Sequence, residues 1–154
     1  MKPTPVPEGY HTVTAYLCVK GAAKAIEFYK KAFGAEEIIR MNAPDGGIMH
    51  AAIQIGDSRI MLADEFPEMG VLGPKSLGGS PVKMHLYVAE VDKKIEQAVK
   101  AGAKLIREVK DQFYGDRSGG VEDPFGYQWY LATHIEDVSE VEMQKRIAKF
   151  GTGE

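Results

Sequence analysis

The chain has 154 residues, of which 44% are hydrophobic and 27% charged, proportions typical of a soluble globular protein. Nineteen basic and twenty-two acidic side chains give a net charge of -3, which disfavours nucleic acid as a partner because phosphate-backbone binding needs an excess of basic residues. No apolar run is long enough to span a membrane, and the proline-rich N-terminus lacks the apolar stretch of a secretory signal. The single cysteine, Cys18, excludes an internal disulfide and favours a cytoplasmic location.

Two segments of the chain resemble each other. Tyr16–Ala32 and His85–Ala101 share seven identities in seventeen aligned positions, for example Leu17 with Leu86, an offset of 69 residues. A repeat of this kind indicates a duplicated structural unit. We predict a single domain over residues 1–154, made of a first module (10–66), a linker (67–80), a second module (81–137) and a C-terminal helix or tail (138–154).

The first module is predicted to contain one strand, one helix and three further strands. Residues Ala22, Ile26, Tyr29 and Phe33 fall at helical spacing and form one apolar stripe. The predicted elements are strand Thr12–Val19, helix Ala22–Phe33, strand Ala35–Met41 and a hairpin of Met49–Ile55 and Ser58–Ala63 around Gly56-Asp57. The segment Asp64–Pro81 that follows is rich in Gly and Pro, which predicts a linker or a mobile lid.

The second module repeats this order. Its predicted elements are strand His85–Val88, helix Asp92–Ala101 and strands Lys104–Val109, Gly119–Glu122 and Gln128–Thr133. In the tail, Ser139 stands three residues before Glu142, a spacing that predicts a capped helix ending near Lys149. We interpret this helix as an end-cap or a dimer arm.

Strand alternation divides the strand residues between two sheet faces. The face expected to pack against the helices is wholly apolar: Leu17, Val19, Ile53, Ile55, Ile60, Leu62, Leu86, Val88, Trp129 and Leu131. The opposite face mixes aromatic, polar and small side chains: Thr14, Tyr16, Cys18, His50, Ala52, Gln54, Met61, Ala63, Lys83, His85, Tyr87, Tyr130, Ala132 and His134. This composition favours a concave binding surface, and the alternative is an ordinary mixed interface between the two modules.

The sequences YLCVKGAAKAIEFYKKAFGAE and GGVEDPFGYQWYLATH, which open and close the duplicated region, resemble the glyoxalase/bleomycin-resistance/extradiol-dioxygenase (vicinal oxygen chelate) superfamily. The stretches HAAIQIGDSRIMLAD and DQFYGDRSGGVEDPFGYQWYLATH are similar to its PhnB-like branch. The resemblance covers about residues 10–138. It implies an α+β fold in which two βαβββ modules form an incomplete barrel around a concave cleft, with two chains often assembling as a homodimer.

The same resemblance implies where a metal would be held. The four family positions, usually His and Glu, correspond by strand register to Thr14, Met61, Lys83 and Tyr130, none of which is a usual ligand for zinc or a hard cation. We therefore expect no metal and no other cofactor. The alternative is a displaced metal site built from His50, His85 and His134, since imidazole suits several transition metals.

Several residues of the mixed face are candidates for ligand contact. Lys83 and His85 share a face and are suited to an anionic group, unless Lys83 merely faces solvent. His50 is the best candidate for a catalytic acid or base, although no catalytic residue is identified. In the glycine-rich loop 111–120, Tyr114 or Arg117 is expected to reach the ligand, with a turn held by Asp116 and Arg117 as the alternative. The complete predicted ligand-binding set is Tyr16, His50, Met61, Lys83, His85, Tyr87, Tyr114 and Tyr130.

Three functional hypotheses follow. The leading one is a protein that binds a small organic molecule in the concave cleft, as members of the superfamily without metal do. The second is a lyase, isomerase or dioxygenase of the same superfamily with displaced metal ligands, or a metal-free enzyme that uses His50 as base. The third is a structural or regulatory dimer whose concave faces are filled by a partner chain. Whether the chain is an enzyme stays open at this stage.

Overall fold

Two four-stranded mixed sheets, one in each module, form the framework of the protein. The structure is a computed structural model that describes residues 1–150, so the last four residues of the predicted tail lie outside the described part. In module 1 the strand order is β1-β4-β3-β2, with β1 Tyr16–Val19, β2 Glu36–Asn42, β3 Ile48–Ile55 and β4 Ser58–Asp64. In module 2 the order is β5-β8-β7-β6, with β5 Met84–Tyr87, β6 Lys104–Asp111, β7 Asp116–Glu122 and β8 Gln128–His134.

Each module also carries one long helix after its first strand. The helices are α1 Ala22–Phe33 and α3 Val91–Ala101, and a short α2, Pro74–Leu77, and a C-terminal α4, Glu140–Phe150, complete the set. The predicted α+β fold of two βαβββ modules is confirmed, and the two sheets do not close into a barrel. Within residues 1–150, every helix is too short or too polar to cross a bilayer.

Some element boundaries differ from the prediction. The first strand begins at Tyr16 rather than Thr12, because its register with β4 starts at Tyr16 opposite Met61. Strand β7 begins at Asp116 rather than Gly119, because Asp116 pairs with His134 across the antiparallel ladder. The predicted linker contains a 3-10 helix, Pro67–Met69, as well as α2.

The helix-facing set of strand residues forms the core, as alternation predicted. Eight of its ten members are buried, while Leu86 and Val88 are partly buried and pack against the same core. Helix α1 adds Ile26, Tyr29 and Phe33, and the rings of Tyr29 and Phe33 both contact Trp129 of β8. Since α1 belongs to module 1 and β8 to module 2, these contacts join the two modules through one apolar core.

The duplicated helices are capped at equivalent places. Asp64, at the end of β4, accepts hydrogen bonds from the backbone N–H groups of Gly21 and Ala22 at the start of α1. Thr133, which lies 69 residues further along in β8, accepts a bond from the N–H of Val91 at the start of α3. Both side chains satisfy backbone donors that have no partner within their helix.

A buried carboxylate lies at the junction of the modules. Asp123, which is 2% exposed, accepts hydrogen bonds from the Tyr29 hydroxyl at 2.5 Å and from the Trp129 indole at 2.9 Å. It also accepts bonds from the backbone N–H groups of Phe125 and Tyr127. Burial raises the pKa of Asp123, and burial together with the Asp123 charge raises the pKa of Tyr29, which therefore stays protonated and donates.

The C-terminal segment is held against module 2 by a histidine clamp. The His134 ring nitrogens contact Asp116 at 2.7 Å and Asp137 at 2.8 Å, and hydrogen bonds that the ring donates to Asp137 and, to a smaller extent, to Asp116 raise the pKa of His134. Ser139 accepts a hydrogen bond from the N–H of Glu142, so the predicted cap of the tail helix is confirmed. Helix α4 is further anchored by Arg146, which donates to the carbonyl of Phe113.

Replacing Tyr29 with Phe removes one donor from the buried Asp123 carboxylate. We expect the free energy of unfolding to fall by about 1–2 kcal/mol, because an under-satisfied buried charge costs more than an average hydrogen bond. Urea unfolding followed by fluorescence measures the change. Tyr10→Phe is the control, since within residues 1–150 the Tyr10 side chain contacts Arg59 through its ring and not through its hydroxyl. Equal stability of the two variants would contradict this role of Asp123.

The His134 clamp predicts a pH-dependent stability. The protonated His134 ring has two N–H groups and donates one hydrogen bond to each carboxylate, whereas the neutral ring has one N–H and can donate to one of them. Because the folded-state pKa lies above the ordinary value of 6.5, the stabilisation is complete below that value and is lost as the pH rises through the folded pKa. The advantage in Tm of the native protein over His134→Gln should therefore shrink between pH 6 and pH 9. An advantage that is constant over this range would exclude the clamp.

Candidate functional site

The predicted ligand-binding residues are divided between the two modules. Tyr16, His50 and Met61 lie in the sheet of module 1, and Lys83, His85, Tyr87 and Tyr130 lie in or beside the sheet of module 2. Tyr114 lies in the turn between β6 and β7. Within residues 1–150, no hydrogen bond or ring contact joins the module 1 group to the module 2 group. The structure thus brings together two groups rather than one.

In module 1, Tyr16 and His50 form a hydrogen-bonded pair. The Tyr16 hydroxyl and His50 Nδ1 are 2.9 Å apart, and Met61 is the register partner of Tyr16 on β4. Burial, with a smaller contribution from Cys18, raises the pKa of Tyr16, so its hydroxyl stays protonated at neutral pH. Because the hydrogen bond to Tyr16 involves Nδ1 of His50, the other ring nitrogen, Nε2, is available to contact a ligand.

A β-bulge shapes the strand that carries His50. Met41 of β2 pairs with His50 and Asn42 pairs with Ile48, so Met49 has no partner across the ladder. Bulges of this kind redirect side chains and are frequent beside functional sites. Met49 is exposed and lines the large cleft described next. Strand alternation alone could not place this residue.

A cleft of about 790 Å³ lies beside the sheet of module 1, and we call it the module 1 cleft. Apolar side chains form much of its wall, and Tyr16 is one of its lining residues. Besides Tyr16, its polar side chains are the carboxylates of Asp45, Asp64 and Glu65. Asp64 is already engaged by three backbone N–H groups. The lining residues are Tyr16, Ala43, Pro44, Asp45, Gly47, Ile48, Met49, Ala63, Asp64, Glu65, Phe66, Met69 and Val71.

The outer wall of the cleft comes from the segment predicted as a linker or lid. Phe66 and Val71 exchange two backbone hydrogen bonds, of 2.8 and 3.1 Å, around the 3-10 helix. The Glu65 carboxylate accepts a bond from the N–H of Gly73, and hydrogen bonds from Ser76 and Gly73 lower the pKa of Glu65. Gly73 lies so close to β1 that an added Cβ would be 2.6 Å from the Cys18 carbonyl oxygen. The segment therefore forms a wall of the cleft, held by these hydrogen bonds and by its close approach to β1.

Sequence reasoning did not identify the wall residues Phe66, Met69 and Val71. Their one sequence signal is the presence of large apolar side chains in a stretch otherwise rich in Gly and Pro. All three are exposed, which is unusual for side chains that contribute to a core.

In module 2, the predicted residues cluster around Tyr130. His85 is its register partner on β5, and the His85 and Tyr87 rings meet edge to face at 4.8 Å. The Lys83 Nζ lies 5.1 Å from the centre of the Tyr130 ring. Arg107, which the sequence analysis did not identify, places its Cζ at 5.4 Å from the same ring. We call Lys83, His85, Tyr87, Arg107 and Tyr130 the module 2 face.

A smaller pocket of about 210 Å³ lies at the seam between the modules. It combines His11, Thr14 and Arg59 from the first half of the chain with His85 and Trp129 from the second. His85 therefore borders both the seam pocket and the module 2 face. Neither this pocket nor the module 1 cleft contains residues from both predicted groups.

The structure gives the surroundings of Arg117 and Tyr114, the two residues of the loop 111–120 that were expected to reach a ligand. Arg117 forms ion pairs with Asp92 of α3 and with Asp111, both within 2.9 Å, so its guanidinium is engaged within module 2. The alternative of a turn held by a bond between Arg117 and Asp116 is wrong. Asp116 instead bonds to His134. The Tyr114 ring packs against Phe113, and its contact with a ligand stays a prediction.

The potential metal ligands do not converge in the described part of the chain. No group of three or more His, Cys, Asp or Glu side chains within residues 1–150 is arranged to hold an ion. His134 uses both ring nitrogens on Asp116 and Asp137. Burial, Glu65 and Asp64 raise the pKa of the Cys18 thiol, which disfavours the thiolate needed for nucleophilic or ligand chemistry.

Comparisons with known proteins agree with this geometry. A PhnB protein from Bacillus cereus matches the structure with a TM-score of 0.62 at 15% identity, covering 80% of this chain and 99% of that one. A gene product of Arabidopsis thaliana matches with a TM-score of 0.65 at 26% identity, over 80% of this chain and 98% of that one. These likenesses extend across both modules.

The sequence comparisons identify the family. An uncharacterized protein of Mycobacterium bovis is 42% identical over 144 residues, which cover 92% of this chain and 95% of that protein. The sequence model of one superfamily matches residues 10–131, which include nearly all of both modules. The chain belongs to the Glyoxalase/Bleomycin resistance protein/Dioxygenase superfamily.

Proposed function

We propose that this protein binds a small organic molecule in the module 1 cleft without a metal ion. The observation that carries the proposal is the cleft of about 790 Å³, with its apolar wall and the Tyr16–His50 pair beside it. Binding sites for small molecules have volumes of roughly 300–1,000 Å³ and combine apolar walls with a few well-placed polar groups. The cleft has this size and this chemistry.

The residues at the family metal positions support binding without a metal. Thr14 and Met61 offer no strong ligand, and the Lys83 ammonium would repel a cation. Tyr130 lies beside two cationic side chains, Lys83 and Arg107. A cation bound there would have to overcome their repulsion.

We also propose that two copies of the chain assemble in the cytoplasm. The outer strands β2 and β6 carry exposed apolar side chains, including Ile38, Met41 and Leu105. Exposed apolar groups in neighbouring positions are frequent at protein interfaces. The single thiol fits a reducing compartment.

An enzymatic function is the alternative, and the Tyr16–His50 pair is the observation that favours it. A hydrogen bond that fixes one ring nitrogen orients the other, as in many sites of general acid–base catalysis. In this case the cleft binds a substrate and His50 Nε2 transfers a proton. The structural or regulatory dimer, whose concave faces are filled by a partner chain, is the remaining possibility, and it predicts that no small molecule stabilises the protein.

The binding proposal is tested by a small-molecule library and a wall variant. A true ligand should raise Tm, since binding to the folded state alone stabilises it by mass action. Phe66→Ala should weaken such a ligand about tenfold because it removes apolar contact area, while leaving the Tm of the free protein nearly unchanged. Phe66 is 50% exposed, and calorimetric titration gives the affinity.

Leu77→Ala is the matched control for Phe66→Ala. Leu77 lies in the same segment and is 65% exposed, but it does not line the cleft. The proposal fails if no compound raises Tm, or if the two variants weaken a ligand equally.

Two further measurements test the proposal against a metal site and against an enzymatic function. Elemental analysis of protein purified without added metal should give less than stoichiometric Zn, Ni, Mn and Fe, and a bound ion that resists mild chelation would overturn the metal-free proposal.

His50→Ala should change ligand affinity alone if the protein binds a small molecule without converting it. If His50 is a catalytic base, the same variant should lower turnover about a hundredfold or more.

A further inference from the structure

Arg107 differs from every other arginine of the protein. The chain has five arginines, all within residues 1–150, and four of them donate at least two hydrogen bonds to protein oxygens: Arg40, Arg59, Arg117 and Arg146. The guanidinium of Arg107 has one described contact, with the Tyr130 ring. Its N–H donors therefore remain available for an acceptor from outside the chain.

Lys83 is in the same situation on the other side of Tyr130. The strand order β5-β8-β7-β6 places β8 between β5, which follows Lys83, and the pair β7 and β6, which carries Arg107. The Lys83 Nζ contacts the Tyr130 ring and forms no ion pair in the described chain. Two cations without carboxylate partners thus meet at one aromatic ring.

Gly120 allows the Tyr130 ring and the Arg107 side chain to come into contact across β7. It is the register partner of both residues, on β7 between them. A Cβ added to Gly120 would lie 3.0 Å from Tyr130 Cε1 and 3.4 Å from Arg107 Cβ. The missing side chain lets the ring lean across β7 toward the guanidinium.

The nearby carboxylates do not neutralise this pair. Glu108 follows Arg107 on β6, and Glu122 has Lys104 as its register partner. Neither forms an ion pair with Lys83 or Arg107 in residues 1–150. His85 and Tyr87 add exposed aromatic surface on β5, with Tyr87 exposed by 65%.

We propose that the module 2 face is a subsite for an aromatic carboxylate, an inference that rests on the proposed small-molecule-binding function. The carboxylate accepts paired hydrogen bonds from Arg107, whose planar fork matches two carboxylate oxygens, and Lys83 adds a second positive charge. The aromatic part packs against the Tyr130 and Tyr87 rings. The module 2 face thus prefers ligands that are negatively charged and planar.

Three probes test this subsite by calorimetric titration: 1-naphthoate, its uncharged analogue 1-naphthamide, and inorganic phosphate. We expect naphthoate to bind at least tenfold more tightly than naphthamide. Arg107→Met and Lys83→Met should each weaken naphthoate about five- to tenfold and leave naphthamide unchanged, because each removes a charged donor and keeps an apolar stem. Arg107→Lys should restore part of the affinity, since it keeps the charge and loses the fork.

Lys104→Met is the matched control, because Lys104 is an exposed cation on the same strand as Arg107. Its cross-strand register partner is Glu122 rather than Gly120, and the described contacts of the Tyr130 ring with cations are those of Lys83 and Arg107. Equal losses in Lys104→Met and Arg107→Met would show a general effect of charge and overturn the subsite. Naphthoate binding no tighter than naphthamide, or phosphate competing as well as naphthoate, would overturn it too. Each of these three results leaves the proposed function intact if other compounds bind in a Phe66-dependent way, whereas a library without any stabilising compound removes the proposed function itself.

Discussion

The arrangement of the two modules depends on the hydrogen bonds that the buried Asp123 carboxylate accepts. It accepts four hydrogen bonds inside the core, two from the side chains of Tyr29 and Trp129 and two from the backbone beside it. A buried carboxylate is costly unless its oxygens accept hydrogen bonds, so the groups that donate to Asp123 must be fixed in position. Tyr127, held by the same turn, also bonds both the N–H and the carbonyl of Cys18 through its hydroxyl. These bonds fix the free edge of β1 against module 2 and thereby set the seam between the modules.

Much of the fold could be predicted from local patterns in the sequence. Helix α1 has the bounds that its apolar stripe predicts, because Ile26, Tyr29 and Phe33 must share one face. Alternation correctly assigned Trp129 to the core and Tyr16 to the opposite face. The duplication at an offset of 69 residues then gave the second module from the first, and the family assignment agrees with it.

The residues that sequence reasoning missed lie where regular alternation ends. In β6, Leu105 pairs with Val121 and Arg107 with Gly120, so one residue is unpaired and the faces exchange beyond it. A strict period of two cannot place Arg107 after such a bulge. Phe66 belongs to a loop whose shape depends on a bond between Glu65 and Gly73. Such tertiary contacts leave no periodic signal in the sequence.

The wall formed by Phe66, Met69 and Val71 is attached through backbone bonds and through Glu65, while its apolar side chains face outward. Exchanging those side chains changes what the cleft meets without opening a void in the core. Mutations there are consequently almost free of the stability cost that normally limits protein evolution. The chemistry of this wall can therefore change one codon at a time among descendants of this sequence while the scaffold stays the same.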